Sequence, residues 1–187
     1  MKKNIISSLV LTLLLILLLG IAYPLLIRGI AYFSPGSGNG VEASYKGRVV
    51  GFDLIGQAFT ADKYFQGRPS AVNYNSAGSG GSNKSIYNPD YIKTMKARLD
   101  TFLVHNPGII KADVPVELIT ASGSGLDPDI SPAAAYVQVP RIATKRGIPK
   151  EKIQKLVERM TVKPLFGFLG PEKVNVLKLN IELDKLQ

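Results

Sequence analysis

The sequence has no cysteine, a single histidine, and no charged residue at all between Asn4 and Ile27. Without cysteine there is no disulfide framework, so any folded domain must hold together by packing of its core. One histidine and no cysteine cannot supply the several nitrogen and sulfur ligands of a zinc site, and no metal or other cofactor of its own is expected. The histidine, His105, borders Asn106-Pro107-Gly108 and reads as the surface end of a helix rather than a general base. The serines form neither a G-x-S-x-G elbow nor an S-x-x-K pair, and without either the sequence assembles no visible hydrolase constellation. Gly78 to Ser85 comes near a phosphate loop, but Asn83 stands where the second glycine belongs and no clear strand precedes it. It reads as an ordinary polar loop. Asp127-Pro128-Asp129 offers carboxylates but not the ligand ladder of a calcium loop, and reads as a turn.

The uncharged stretch is longer than the roughly 20 residues that cross a hydrocarbon core, and its leucine run makes it apolar on every side. Lys2 and Lys3 precede it and only Arg28 follows closely, which places the N-terminus in the cytoplasm and the remainder outside. A cleaved signal peptide ending at Gly20-Ile21-Ala22 is the competing reading. Against it, apolar residues continue through Ile27, past a normal signal core, and Tyr23 and Tyr32-Phe33 fall where an outer aromatic belt belongs. The expected organisation is a cytoplasmic tip and transmembrane anchor over residues 1–33, a loop over 34–44, and one extracytoplasmic domain over 45–187. A chain of 187 residues, 45% hydrophobic, has room for no second full domain. Beyond the first thirty residues 20 basic side chains face 14 acidic ones, a net of +6. That balance suits an anionic membrane surface or an acidic partner. The basic residues are not striped with aromatics, so nucleic acid is not expected as a partner.

Along the exported part, Val49 to Gly56 suits one or two short strands. Ala71 to Asn88 is a long loop of small and polar residues. Asn88-Pro89 opens a helix, with Tyr91, Ile92, Met95 and Leu99 at helical spacing, ending near His105. Val114 to Ala121 is a strand candidate. Ser131-Pro132 caps another helix, Pro140 divides it into two short ones, and Pro149 leads into an amphipathic helix. Over Val174 to Leu183, leucine and isoleucine alternate with polar residues, the period-two mark of a half-buried strand. The fold class is therefore α+β, one transmembrane helix followed by one mixed domain, with no internal repeat.

Two blocks exceed generic pattern: Gly67-Arg68-Pro69-Ser70 continuing to Ser79-Gly80-Gly81-Ser82-Asn83, and Thr120-Ala-Ser-Gly-Ser-Gly-Leu-Asp-Pro-Asp-Ile-Ser-Pro132. With Ala133-Ala-Ala, Gln138-Val-Pro-Arg141, Phe166-Gly-Phe-Leu-Gly170 and Val174-Asn-Val-Leu-Lys-Leu-Asn180, they resemble the KdpC family, the C subunits of high-affinity potassium-transporting P-type ATPases. The blocks keep the family's order and spacing over nearly the whole chain. Asn73-Tyr74-Asn75, where the family often has an acidic residue, and the Ser34 to Gly40 loop are modest departures.

The resemblance implies a non-catalytic accessory subunit of the inner membrane, partnered by a KdpA-like channel-like subunit and a KdpB-like subunit that hydrolyses ATP. ATP and potassium would then be handled by the complex. It further implies a catalytic chaperone that raises the ATP affinity of KdpB, with Gln138 as the proposed nucleotide contact. The topology sets Gln138 on the outer face, away from cytoplasmic nucleotide, so the effect is expected to travel through the complex. Candidate partner-facing residues are Arg68, Ser122, Gly123, Ser124, Gly125, Asp127, Pro128 and Ser131. For the Ser122 to Ser131 turn, an interface and a scaffold that passes a strand into a helix are equal readings. Arg68 and Lys84 can pair with acidic partner residues or simply be solvated. Other classes remain as alternatives: an anchored hydrolase using serine with lysine, and an anchored binding module.

Overall fold

The computed structural model describes residues 2–186. It divides into two units, residues 1–41 and residues 42–187. The first is a continuous helix, Lys2–Ala31, apolar and long enough to cross a membrane. Its segments are α1 (Lys2–Leu17), a π turn (Leu18–Ala22) and α2 (Tyr23–Ala31), and none of their residues is buried. The π turn has a covalent cause. Pro24 cannot donate to the carbonyl four residues earlier, that of Gly20, and its ring crowds that carbonyl. The ladder widens by one residue just before it, so that the Tyr23 N–H reaches the Leu18 carbonyl. A tight turn, Pro35–Gly38, follows, with Gly36 and Ser37 at φ of 77° and 50°.

The second unit opens with a hairpin, β1 (Glu42–Tyr45) and β2 (Arg48–Phe52), antiparallel with a bulge between Ala43 and Ser44. Lys46 and Gly47 at its turn both have positive φ, 51° and 76°, matching the twist of the two strands. β1 thus begins inside the stretch expected to be loop. Residues 53–88 then run without a regular element as far as α3 (Pro89–His105), which starts as the sequence predicts: the Asn88 side chain accepts from the Tyr91 N–H and Pro89 takes the first turn.

Four further helices surround the core: α4 (Pro132–Tyr136), α5 (Val139–Arg146), α6 (Lys150–Met160) and α7 (Val176–Asp184). The tandem pair broken near Pro140 appears as expected, with Ser131 Oγ accepting from the Ala134 N–H to cap α4. Ile153, Leu156 and Val157 of α6 pack with Ile142, Leu179 and Leu183 in one cluster containing Phe65. A fully buried side chain of this size contributes about 1.5–3 kcal/mol.

Two expected strands are corrected. Val114 to Ala121 is not a strand but irregular chain with 3-10 turns at Lys111–Asp113 and Val116–Leu118. Pro115 removes a ladder donor, only Leu118 is buried, and the Thr120 N–H and hydroxyl both turn back to the Val116 carbonyl. Over Val174 to Leu183 only Val174–Asn175 is extended (β4, paired with β3, Asp129–Ile130). The rest is α7, capped by Asn175 accepting from the Lys178 N–H. Of its buried residues, Val176, Leu179, Asn180 and Leu183 fall at i, i+3, i+4 and i+7, with Leu177 beside them. The polar Asn180 sits on the core face, which is why an apolar/polar count reads period two.

Candidate functional site

At the centre of the domain an irregular segment, Asp62 to Pro69, which leaves a turn at Asp62 and Lys63, is bonded by side chains where a sheet would use neighbouring strands. Asn180 makes a two-point pair with Phe65, accepting from its N–H at 2.9 Å and donating to its carbonyl at 2.9 Å. Gln138 does the same to the next residue: its Oε1 accepts from the Gln66 N–H at 2.9 Å and its Nε2 donates to the Gln66 carbonyl at 3.0 Å. Each amide thus imitates the donor–acceptor pair that an opposing strand residue would offer. The amides come from two helical regions, α7 and the α4–α5 junction, so the segment is clamped from both.

Arg141 completes the clamp. It is buried, and its guanidinium donates to the carbonyls of Asp62 and Tyr64, to Asn106 Oδ1 at 2.9 Å and to Gln138 Oε1 at 2.7 Å. Burial pulls the Arg141 pKa below the ordinary arginine range, and the Asp62 carboxylate opposes that shift. Asn106, itself buried, orients by donating to the Phe102 carbonyl at 2.8 Å. At the rim, burial alone would raise the Asp62 pKa, but His105 at 2.8 Å and Lys145 at 3.3 Å outweigh it and hold the carboxylate below its usual range. Arg146 donates to the Lys63 carbonyl and pairs with Asp184 at 2.6 Å.

The second candidate region packs beside the far end of the same segment. Arg68 meets Asp127 at 3.0 Å, the pair being about a quarter exposed, and the other Asp127 oxygen accepts from the Asp129 N–H. The Ser122 N–H donates to the Pro69 carbonyl, the Gly80 N–H to the Ser124 carbonyl, the Gly56 N–H to the Leu126 carbonyl, and the Val176 N–H to the Pro128 carbonyl. The turn is therefore a junction of four separate stretches of chain. Two glycines are required by the crowding: a Cβ on Gly56 would lie 2.4 Å from the Asp127 carbonyl oxygen, and one on Gly125, with φ of 69°, would lie 2.7 Å from that of Gly80.

The structure thus brings Arg68 and Asp127 together and sets Ser122 and Gly125 in the interior, while only Gly123 and Ser124 of the turn are exposed. Pro128 is partly covered, and Ser131 both caps α4 and donates to Glu117 Oε1 at 2.5 Å. Gln138 has no exposed surface, and all its amide positions are occupied: Nε2 also donates to the Ala134 carbonyl at 2.9 Å. Gln138, the residue that the resemblance proposes for nucleotide, thus spends its amide on Gln66, Ala134 and Arg141. Sequence reasoning missed Asn180, Asn106 and Arg141 as parts of the clamp. The available signal was a polar residue, Asn180, on the apolar face of α7 once the helical period is used. An open cleft of about 510 Å³ lies between α3 and the Ala58 to Pro69 stretch, where the Arg98 guanidinium on its wall donates to the Ile119 carbonyl.

Comparison with known proteins gives a consistent result. Residues 5–185 match the family model described as KdpC: K+-transporting ATPase, c chain. The chain is similar to proteins named potassium-transporting ATPase KdpC subunit. One from Flavobacterium psychrophilum is 50% identical over 99% of this chain and 100% of its own length. One from Bacteroides fragilis is 45% identical over 99% and 98%, and one from Caldanaerobacter subterraneus subsp. tengcongensis is 42% identical over 98% and 95%.

Proposed function

The chain belongs to the KdpC family, the c chains of K+-transporting ATPases, and as such is an accessory subunit of a potassium transport complex; we propose that it acts there as a non-catalytic scaffold. In this reading a KdpB-like subunit hydrolyses ATP, a KdpA-like subunit conducts potassium, and this chain stabilises their assembly from outside an inner membrane, its N-terminus in the cytoplasm. The observation that carries the reading is the clamp. Gln138, Arg141, Asn106 and Asn180 are buried and bonded to the chain's own backbone and to one another, which makes a rigid body rather than a set of reactive groups. The lysines before the apolar helix support the orientation. Restricting the rigid domain to the membrane plane raises its effective concentration beside its partners, so a modest interface stays occupied.

The rise in ATP affinity expected of the family is then transmitted through the assembly, with Gln138 contributing only by keeping the domain in shape. The test is purification of the tagged chain in mild detergent from potassium-starved cells, with potassium-stimulated ATPase assayed in the eluate. Co-elution of two larger membrane chains with that activity is expected, and elution of the chain alone from cells expressing the pump overturns the proposal. A second comparison isolates Gln138: Gln138→Leu and Asn180→Leu each remove a two-point clamp, Gln138→Leu also the bonds to Arg141 and Ala134, so any change in the ATP KM of the complex should scale with each variant's loss of stability. A KM change confined to Gln138→Leu at matched stability would instead restore a direct nucleotide role.

A further inference from the structure

One feature of the domain has no use in the scaffold. Between α6 and α7 the chain projects a small hairpin whose base is the mutual bonding of Val162 with Lys173 and whose tip closes through Leu165 and Leu169. Pro164 to Pro171 reads Pro-Leu-Phe-Gly-Phe-Leu-Gly-Pro, eight residues without one charged or polar side chain. Its large side chains are left in solvent: Leu165 is 62% exposed, Phe166 78%, Phe168 75% and Leu169 51%. Phe166 is moreover held at a φ of 55°, beside Gly167 at 81°, a conformation that bulky residues seldom adopt.

We infer that this tip is a second membrane-contacting element, with Leu165, Phe166, Phe168 and Leu169 entering the interfacial layer of a lipid bilayer. The side-chain chemistry favours lipid over a protein groove. Anchors at protein interfaces are enriched in tyrosine, tryptophan and arginine, which add hydrogen bonds to area. Phenylalanine and leucine alone match the apolar face of interfacial segments. The backbone is suited to a medium poor in water. The two prolines have no N–H, those of Leu165, Gly167, Phe168 and Leu169 are bonded inside the hairpin, and only those of Phe166 and Gly170 lack an acceptor among the described residues. The charges stop at the base, with Lys163, Glu172 and Lys173 flanking the prolines and Lys173 paired to Asp129 at 2.6 Å.

The test uses the absence of tryptophan from the chain. The full chain carrying Phe166→Trp is reconstituted into phosphatidylethanolamine–phosphatidylglycerol vesicles with and without lipids brominated on their acyl chains. Tyr87→Trp, at an exposed site outside the hairpin, is the control. Both changes lie on the surface, and thermal unfolding matching the parent verifies the fold. Blue-shifted emission and roughly twofold or greater quenching by brominated lipid are expected for Phe166→Trp, with neither for the control. Water-like, unquenched emission from Phe166→Trp overturns the inference. So does emission that shifts only in vesicles containing the assembled complex without bromine quenching, which would assign the tip to a protein surface. The inference does not depend on the scaffold reading, and either can fail alone.

Discussion

The helix Lys2–Ala31 and the core around Phe65 are both apolar, yet they solve the backbone problem in opposite ways. In the helix, the peptide groups away from its ends and from Pro24 bond within the segment about one turn away, and the large side chains face outward. In the domain the apolar groups turn inward, and the irregular stretch around buried Phe65, with no strand beside it, takes its partners from Gln138, Arg141 and Asn180. The lesson is that burying an irregular segment requires a donor or acceptor for each polar group it carries inward. The domain supplies them with side chains distant in sequence.

If that contrast is right, the heaviest damage comes from Arg141→Ala. It orphans acceptors on Asp62, Tyr64, Asn106 and Gln138, and an expected loss of about 4 kcal/mol is to be read from denaturant titration of the full chain in detergent. Gly56→Ala comes next, because its new methyl group meets a backbone oxygen that cannot rotate aside. A loss of about 2–3 kcal/mol is expected in the same titration.

A smaller effect is expected at the rim. The Asp62 pKa is lowered in the fold, so its contribution is fully present above the unfolded value, about 3.9, and disappears as pH falls through the folded one. With the carboxylate 26% exposed, the contribution is about 0.5 kcal/mol. Asp62→Asn should therefore be less stable than the parent near neutrality, and the two should converge in acid. Least of all, Leu14→Ala in the apolar helix should leave unfolding of the domain unchanged within about 0.5 kcal/mol, since Leu14 is exposed and no cavity forms. A larger shift would break the comparison by showing that the two units share stability.

Legibility follows the same divide. Asn88-Pro89 and Ser131-Pro132 announced their helices correctly because a cap and its proline act within one turn. Leu177, Leu179, Ile181 and Leu183 misled because alternation is compatible with a strand until something fixes the period, here the Asn175 cap and the demand for Asn180 at Phe65. Ser122 to Ser131, read equally as an interface or as a turn from a strand into a helix, leads from irregular chain through β3 into α4. Its role as a junction depends on residues 56, 69, 80 and 176, which no local pattern connects.

By itself the sequence determined the apolar helix, the starts of α3 and α4 and, through its blocks, the family, because each rests on neighbours in the chain or on their order. Only the tertiary structure decided that Gln138 is an internal strand mimic with no free valence for a ligand. The groups that occupy its amide include Gln66, 72 residues away, and a hydrogen bond of that span exists only once the core has closed around it.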